Sequence, residues 1–443
     1  MKHRRSLFLT LALASLLFGL PAAKAQDNRT LTMKEAIDQS LKNSKQLKLS
    51  SARIAEAVAA TKEATERRLP DANISGSYLR LTKPNINIKS QSSGGSDSSA
   101  ISPGKVSSAL YGMATVSMPI YAGSKVKYGI ESAKYLEQAV KLDADNDRQG
   151  VILNTIAAYI NLYKANAAVK LVEENLVQSR QRDTDFGNLE KNGLLARNDL
   201  LKAQLETSNL ELSLLDAQNN IQLANVNMNL MLGLPEGTKL IIDSASMQQP
   251  GEYKTIAEYE QIADSSRNDW KALSYRQKAA TAAVKIAKGD YYPSIAVTGG
   301  YVAADIPKFL TITNAFNIGI GVKYSLSSLW KTDSKVQQAK AQEQQLLVNQ
   351  SMLTDEIHLS INKAYQDYLS GLKKIDVYNK AVEQASENYR INKNKYNNNL
   401  LTLTDLLDAD LAQLQARLNL AFAQADVVLA YHTLLQKAGI LNQ

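Results

Sequence analysis

The chain is an internal duplication, and this feature limits its possible folds more than any other. Residues 192–205 and 398–411 both read N-x-L-L-x-x-x-D-L-L-x-A-x-L, at an offset of 206 positions. The same offset relates Gly233 to Gly439 without a gap. The chain therefore consists of two copies of one long unit, and any functional interpretation must accommodate both copies.

The first 25 residues have the pattern of a secretory leader. Basic residues at positions 2, 4 and 5 precede an apolar run over residues 7–20, and Ala23-Lys24-Ala25 matches a cleavage site. We therefore predict a signal peptide at residues 1–25. Removing it lowers the net charge from +8 to +4, because the leader holds four basic residues and no acid. This modest charge argues against a nucleic-acid partner.

The residue types needed for most metal and enzyme sites are scarce. Cysteine is absent, which excludes disulfides, thiolate metal sites and a lipid anchor on an amino-terminal Cys. His358 and His432 lie in helical patterns without carboxylates at ligand spacing, so packed or solvated side chains are favoured over metal ligands. No nucleophile elbow or zinc-hydrolase motif occurs. We therefore expect no metal, no cofactor and no enzymatic activity.

Proline positions indicate where long helices can form. The stretches 120–234 and 308–443 contain no proline and carry apolar residues three and four positions apart. We predict helices over about residues 124–189, 196–231, 330–396 and 402–438. Asn- and Gly-rich clusters at 192–193 and 397–399 interrupt them, so each copy contains an antiparallel helical hairpin. Beyond the leader, no run of about 18 apolar residues predicts a membrane-spanning helix.

Segments near the prolines alternate instead with period two. Phe316, Ile318 and Ile320, for example, alternate with Asn317 and Gly319. We predict strands over about residues 71–82, 110–121, 294–304 and 315–326, with the length and pattern of transmembrane strands, apolar outward and polar inward. The link between the strands has 27 residues in the first copy and 10 in the second. The extra length falls in a Ser- and Gly-rich stretch, residues 90–104, which we expect to be an extracellular loop.

Two strand pairs per chain require partners of the same kind. Four strands cannot close a barrel, because the smallest outer-membrane barrels have about eight. Unpaired sheet edges cannot face lipid. We therefore expect several copies of the chain to share one barrel. The alternative is a soluble sheet that caps a helical bundle.

In this order, the motifs resemble the TolC family of outer-membrane efflux proteins over nearly all of the mature sequence. They are Leu69-Pro70 and Tyr292-Pro293 before the strands, Met-Pro-Ile-Tyr-Ala-Gly at 118–123, the two hairpin tips, and Met-Leu-Gly-Leu-Pro at 231–235. The resemblance implies a mainly helical fold with transmembrane strands, built from two tandem repeats at residues 26–235 and 236–443. Each repeat would be a β-hairpin plus a long helical hairpin.

The same resemblance implies a homotrimer with a 12-stranded β-barrel and a periplasmic α-helical barrel. It also implies an equatorial zone of shorter elements near residues 235–262 and the carboxyl end.

The candidate functional residues lie at the hairpin tips. Asp405 and Asp408 share one helix face, and symmetry would arrange them as a carboxylate ring that favours cations. The resemblance implies that they line the pore entrance, with Asp199 and Tyr396 as gate residues. Leu401 occupies the family's arginine position, and Arg197 is our candidate substitute. Alternatively, an Asp near a helix start simply stabilises the helix dipole.

The turns at the two tips resemble the family surface that receives a periplasmic adaptor. They consist of Asn192, Gly193 and Leu194 in the first copy, and Asn398, Asn399 and Leu400 in the second. Leucines beside a turn can equally cap their own helices.

The functional expectation follows from the resemblance. It implies a passive exit duct of a tripartite efflux pump, in the outer membrane and projecting into the periplasm. The duct would carry small molecules or drugs from an inner-membrane transporter of RND, ABC or MFS type, through an adaptor. The alternatives are an exit duct for type I protein secretion and a non-conducting periplasmic helical spacer.

Overall fold

The computed structural model describes residues 28–82, 106–243, 253–307 and 310–441. The predicted signal peptide at 1–25 and the predicted loop at 90–104 lie outside these residues. In chain order, the elements are β1 (Asn28–Leu31), α1 (Met33–Asn43), α2 (Lys45–Glu66), β2 (Asp71–Arg80), β3 (Ser108–Ala122), α3 (Lys125–Lys191), α4 (Arg197–Leu232), β4 (Lys239–Ile242), α5 (Ile256–Ser266), α6 (Asn268–Lys288), a 3-10 turn (Gly289–Tyr291), β5 (Ser294–Ile306), β6 (Leu310–Lys323), α7 (Ser328–Asn397) and α8 (Leu403–Lys437).

Two helices dominate the chain. Helix α3 has 67 residues and α7 has 70, and neither contains proline. At the α-helical rise each is about 100 Å long. Each is followed by a reversal and a helix about half as long, namely α4 with 36 residues or α8 with 35.

The long and short helices of each copy run antiparallel. In the first copy, Ser179 of α3 and Thr207 of α4 share a buried hydrogen bond of 2.8 Å. In the second, Tyr368 of α7 packs with Val427 of α8. The backbones come close here, because a Cβ added at Gly371 would lie only 2.7 Å from a methyl group of Val427.

The chain forms two compact units that do not follow the two repeats. The first comprises the described residues within 1–47, 147–267 and 357–443, and the second comprises those within 48–146 and 268–356. Each unit therefore draws on both copies of the duplicated sequence. The long helices α3 and α7 contribute residues to both units.

The first unit has an aliphatic core between helices and a small sheet at its edge. Ile152 and Ile156 of α3 pack with Ala425 and Val428 of α8. Strands β1 and β4 pair in parallel. The buried Tyr159 hydroxyl donates to the Leu31 carbonyl at 2.9 Å and so ties the long helix to this sheet.

Sequence reasoning missed strands β1 and β4, because four residues are too few to show an alternating pattern. Strand β4 lies within residues 235–262, and the short helix α5 begins in this range and ends at Ser266.

The second unit contains a four-stranded antiparallel sheet in the order β2-β3-β5-β6. Its register places the predicted apolar residues on one face, since Ala72 lies opposite Val116, and Val297 lies opposite both Met118 and Ile320. That face is uncovered, with Ile318 87% exposed.

The predicted alternation in β3 breaks near its end. The register shifts between Pro119 and Tyr121, so that Tyr121 instead of Ile120 lies opposite Ile295. Proline has no N–H with which to continue the ladder, which is compatible with a bulge beside Pro119.

Helix α8 is an exception to the expectation that no helix beyond the leader could span a membrane. By length and composition, it is the one helix among the described residues that could cross a membrane. Its sequence contains charged residues such as Arg417 and Asp426, so it is not an unbroken apolar run. Its buried residues pack in clusters with α3 and α7.

Candidate functional site

Helices α3 and α7 end in the same hydrogen-bonded turn. At the end of α3, Gly193 has a φ of +72°. Its N–H donates to the Glu190 carbonyl, and the Leu194 N–H donates to the Leu189 carbonyl, both at 2.9 Å. This pattern is the Schellman motif, in which a left-handed residue closes the helix.

At the end of α7, Asn399 takes the place of Gly193, with a φ of +56°. The N–H groups of Asn399 and Leu400 donate to Tyr396 and Lys395, again at 2.9 Å. Asparagine tolerates the left-handed conformation better than most residues, so the duplicated sequence supports one turn with two residue types.

The remaining tip residues separate into closing groups and exposed groups. The Asn192 and Asn398 side chains donate to the carbonyls of Asn188 and Asn394, each at 2.7 Å, and so satisfy helix-terminal acceptors. In contrast, Leu194 is 74% exposed and Leu400 is 75% exposed. These leucines bury little of their surface against their own chain.

An apolar cluster joins the two tips. It consists of Phe186 from α3, Leu200 and Ala203 from α4, and Leu403 and Leu406 from α8, with Tyr389 and Tyr396 of α7 packed against it. The rings of Phe186 and Tyr396 have centroids 5.7 Å apart. The ends of four helices of a single chain therefore pack together in this cluster.

Asp405 takes part in capping its own helix. Thr402 is the N-cap of α8, and its hydroxyl accepts from the Asp405 N–H at 3.3 Å and lies 2.5 Å from a carboxylate oxygen of Asp405. The alternative role considered from sequence, stabilisation of the helix start, is therefore realised for this residue.

Asp405 and Asp408 are nevertheless both exposed. Neither forms an ion pair with a residue in the described part of the chain. Capping leaves the net charge of Asp405 in place, so both carboxylates remain available to attract cations.

At the first tip, a basic residue lies beside the acidic one. Asp199 corresponds by offset to Asp405, and Lys202 corresponds to Asp408. The Lys202 ammonium lies 4.0 Å from the Asp199 carboxylate and 3.5 Å from the hydroxyl of Thr404. The acidic character of the tips is therefore concentrated on α8.

Tyr396 and Asp199 interact electrostatically, whereas Arg197 pairs elsewhere. Burial raises the pKa of the Tyr396 hydroxyl, and the negative charge of Asp199 raises it further. The guanidinium of Arg197 lies 3.3 Å from Glu190 on its own hairpin. The arginine whose charge acts on Tyr396 is Arg182 of α3.

Arg182 belongs to a buried ion pair that sequence reasoning missed. It pairs with Asp410 of α8, and the two side chains are only 9% and 6% exposed. Asn175 donates a further hydrogen bond of 3.1 Å to Asp410. A signal was present, since Asp410 continues the buried positions of Leu403, Leu406 and Leu414 along α8. An acid on a core face needs a buried partner.

A groove of about 680 Å³ lies beside this ion pair, between α3, α7 and α8. Its lining includes Tyr389 and Tyr396 together with the charged residues Asp185, Lys393 and Arg417. A lining of both charge signs suits water or a polar surface better than an apolar ligand.

The two histidines occupy different environments. The His358 Nδ1 atom lies 3.5 Å from a carboxylate oxygen of Glu260. Burial lowers the pKa of His432, and its Nδ1 atom has no hydrogen-bond partner among the described residues. Within the same residues, no three His, Cys, Asp or Glu side chains come together as possible metal ligands.

Comparison with known proteins agrees with this architecture. A model of the outer membrane efflux protein family matches residues 36–234 and 261–439, one match for each repeat. The outer membrane efflux protein BepC of Brucella suis biovar 1 is 23% identical over 325 residues, which cover 72% of this chain and 70% of BepC.

Solved structures share the fold. The outer membrane protein VceC of Vibrio cholerae superimposes with a TM-score of 0.74 at 20% identity, over 92% of this chain and 96% of VceC. The Campylobacter jejuni outer membrane channel CmeC gives a TM-score of 0.75 at 18% identity, over 96% of this chain and 91% of CmeC.

The predicted fold class, mainly helical with two repeats of β-hairpin and helical hairpin, is confirmed by these matches together with the observed elements. The resemblance noted from sequence motifs is confirmed as well. The chain belongs to the outer membrane efflux protein family.

Proposed function

We propose that this chain forms a homotrimeric channel in the outer membrane, the passive exit duct of a tripartite efflux pump. Small molecules or drugs would arrive from an inner-membrane transporter of RND, ABC or MFS type through a periplasmic adaptor. The observation that carries the proposal is the four-stranded sheet, whose apolar face is uncovered and whose edges are open.

The sheet supports closure by further copies. Among the described strands, β2 and β6 each have one partner, so each leaves one edge unpaired. Such edges are unfavourable in lipid, where no water can satisfy the backbone groups. Strands β2 and β6 run antiparallel to each other, because three antiparallel pairings separate their directions. Pairing β6 of one copy with β2 of the next therefore preserves the antiparallel pattern, and three copies give about twelve strands.

Helix α4 supplies a second surface for association. It carries a row of leucines that are 50% to 68% exposed in the single chain, namely Leu201, Leu205, Leu212, Leu215, Leu223 and Leu230. Their spacing of three, four, seven or eight residues keeps them near one helix face. A second copy of the chain would remove this row from water.

The tips would form the periplasmic entrance. Asp405 and Asp408 would repeat around the axis as an acidic constriction, with Asp199 and Tyr396 holding the neighbouring hairpin. The exposed Leu194 and Leu400, on turns closed by Gly193 and Asn399, would receive the adaptor. In this arrangement the Arg182–Asp410 pair fixes α8 against α3, and Arg197 contributes to its own hairpin.

Conductance of the purified protein in planar bilayers tests the proposal. We expect a cation-selective channel whose selectivity and block by multivalent cations both fall when Asp405→Asn and Asp408→Asn are combined. A matched control is Asp355→Asn with Glu356→Gln, which removes the same charge from two exposed, adjacent positions on α7. Adjacent helix residues point about 100° apart, so both cannot belong to one ring.

The outcomes separate a conducting channel from a non-conducting spacer. Absence of conductance in both the wild-type chain and the Asp405/Asp408 variant would favour a non-conducting spacer. Conductance with unchanged selectivity in that variant would place the constriction at other residues.

A further inference from the structure

A basic cavity of about 350 Å³ lies in the second unit, where the sheet meets the helices. Four lysines line it, namely Lys125, Lys323, Lys331 and Lys335, against the single carboxylate of Asp290. The lining charge is therefore strongly positive.

Only two of these lysines are neutralised. Lys125 and Lys335 donate to the two carboxylate oxygens of Asp290, at 2.9 and 2.8 Å. These contacts hold the pKa of Asp290 below its usual value. Lys323 and Lys331 form no ion pair within the described residues, and both are exposed.

The cavity also presents hydroxyl groups. Ser325, Ser327 and Ser328 line it at the start of α7. The hydroxyls of Ser325 and Ser327 lie 2.9 Å apart, and the Ser328 hydroxyl donates to the Ser325 carbonyl at 2.6 Å. The Ser328 hydrogen is already donated and one hydrogen is shared between Ser325 and Ser327, so the cavity offers phosphate mainly lysine ammonium donors and one serine hydroxyl hydrogen.

The sheet register indicates which side the cavity faces. Lys323 pairs with Ser294 across the strands and lies two residues after Gly321 on β6. It is therefore on the same face of the sheet as Thr298 and Asn317. This is the polar face, opposite the uncovered apolar face with Val322. In a barrel with its apolar face toward lipid, the polar face borders the water-filled interior.

We propose that this cavity binds a small water-soluble anion of the phosphate type, with Lys323 and Lys331 as its principal ligands. The binding chemistry follows from the cavity alone, and only the source of the anion, the pore interior, rests on the proposed function. Three copies of the site would give the channel a basic zone distinct from its acidic entrance.

The test is calorimetric titration of the purified full-length mature protein in detergent with inorganic phosphate. We expect saturable binding that is weakened about tenfold or more by Lys323→Gln with Lys331→Gln, because both charged donors are lost. The control is Lys340→Gln with Lys380→Gln, which removes two exposed lysines from α7 outside the cavity and should leave binding unchanged.

The Asp290→Asn variant should have the opposite effect on phosphate binding. It removes the one carboxylate and releases Lys125 and Lys335, so phosphate binding should become tighter. Circular dichroism checks that each variant keeps its helical content.

No phosphate binding, or equal binding by all variants, would overturn the proposal. Retention of anionic phospholipid that depends on Lys323 and Lys331, without phosphate binding, would also overturn it in favour of a lipid headgroup site. Because the titration does not involve conductance, its failure would leave the channel proposal standing, and a loss of conductance would leave the titration result standing.

Discussion

At the scale of single residues, the tips depend on side chains whose roles follow from burial. Asp405 is exposed and bonds with Thr402, the N-cap of α8, whereas Asp410, five residues on, is buried and held by Arg182. From the sequence alone, both residues are acids on the same predicted helix. Only the packed helices distinguish a carboxylate that can act on ions from one that holds two helices together.

The buried pair predicts a particular pattern of stabilities. Arg182→Met or Asp410→Leu alone should each destabilise the protein by about 3 kcal/mol or more, since each leaves an uncompensated buried charge. The double variant should be less destabilised than the sum of the single effects. Chemical or thermal unfolding measures all three.

A matched control exists two residues before Arg182 on α3. Arg180 and Glu211 form an exposed pair between α3 and α4, with side chains 61% and 49% exposed. The equivalent substitutions there should change stability by about 1 kcal/mol or less. Equal costs at the buried and exposed pairs would contradict the role assigned to Arg182 and Asp410.

His432 should make stability depend on pH near neutrality. Burial lowers its pKa below the usual 6.5. As the pH falls through about 6.5, the unfolded chain binds a proton that the folded chain resists, so the free energy of unfolding decreases. The stabilisation is complete above this range and is lost toward lower pH.

The pH effect is measured by comparing variants. When the pH falls from 7.5 to 5.5, the melting temperature of the His432→Gln variant should decrease less than that of the wild-type chain. His358→Gln serves as the control, since the His358 side chain is 43% exposed and its loss should leave the effect of His432 in place. An identical pH profile for wild-type and His432→Gln protein would contradict the burial argument.

At the scale of elements, the duplication and proline spacing predict the long helices and the sheet strands. They do so because long regular segments repeat a pattern many times. Strands β1 and β4 repeat nothing over four residues and exist through pairing between distant segments. The bulge at Pro119 depends on the neighbouring strand, which the sequence of β3 alone does not contain.

The two tip turns make a prediction that only a duplicated chain allows. Gly193→Asn should be nearly neutral, because Asn399 already occupies the same left-handed position in the other copy. Gly193→Val should destabilise the end of α3 by about 1–2 kcal/mol, since a β-branched residue resists positive φ. Hydrogen exchange of the last turn of α3 reports the difference.

Gly187 provides the comparison for Gly193. It lies within α3, and a Cβ added there meets no atom within 4 Å. Gly187→Ala should therefore stabilise the helix slightly. Equal protection in the Asn and Val variants of Gly193 would contradict the turn assignment.

At the scale of the whole molecule, the repeats and the compact units do not coincide. Each unit combines pieces of both repeats, so the two repeats do not fold as two separate domains. The sequence predicts the repeats from their fixed offset. The sequence does not predict that each unit combines segments of both repeats, because this combination follows from which helices pack together in space.

The open sheet is the feature on which the functional account depends. It has an uncovered apolar face and one free edge on each of β2 and β6 among the described strands. The uncovered apolar face is unfavourable in water and would be covered by lipid, and the free edges are unfavourable in lipid unless strands of other copies pair with them.

Native mass spectrometry of the detergent-solubilised mature chain tests this claim most directly. The account predicts a complex of three chains that persists until the detergent is removed or the protein is denatured. A single chain that remains monomeric and soluble without detergent would contradict it.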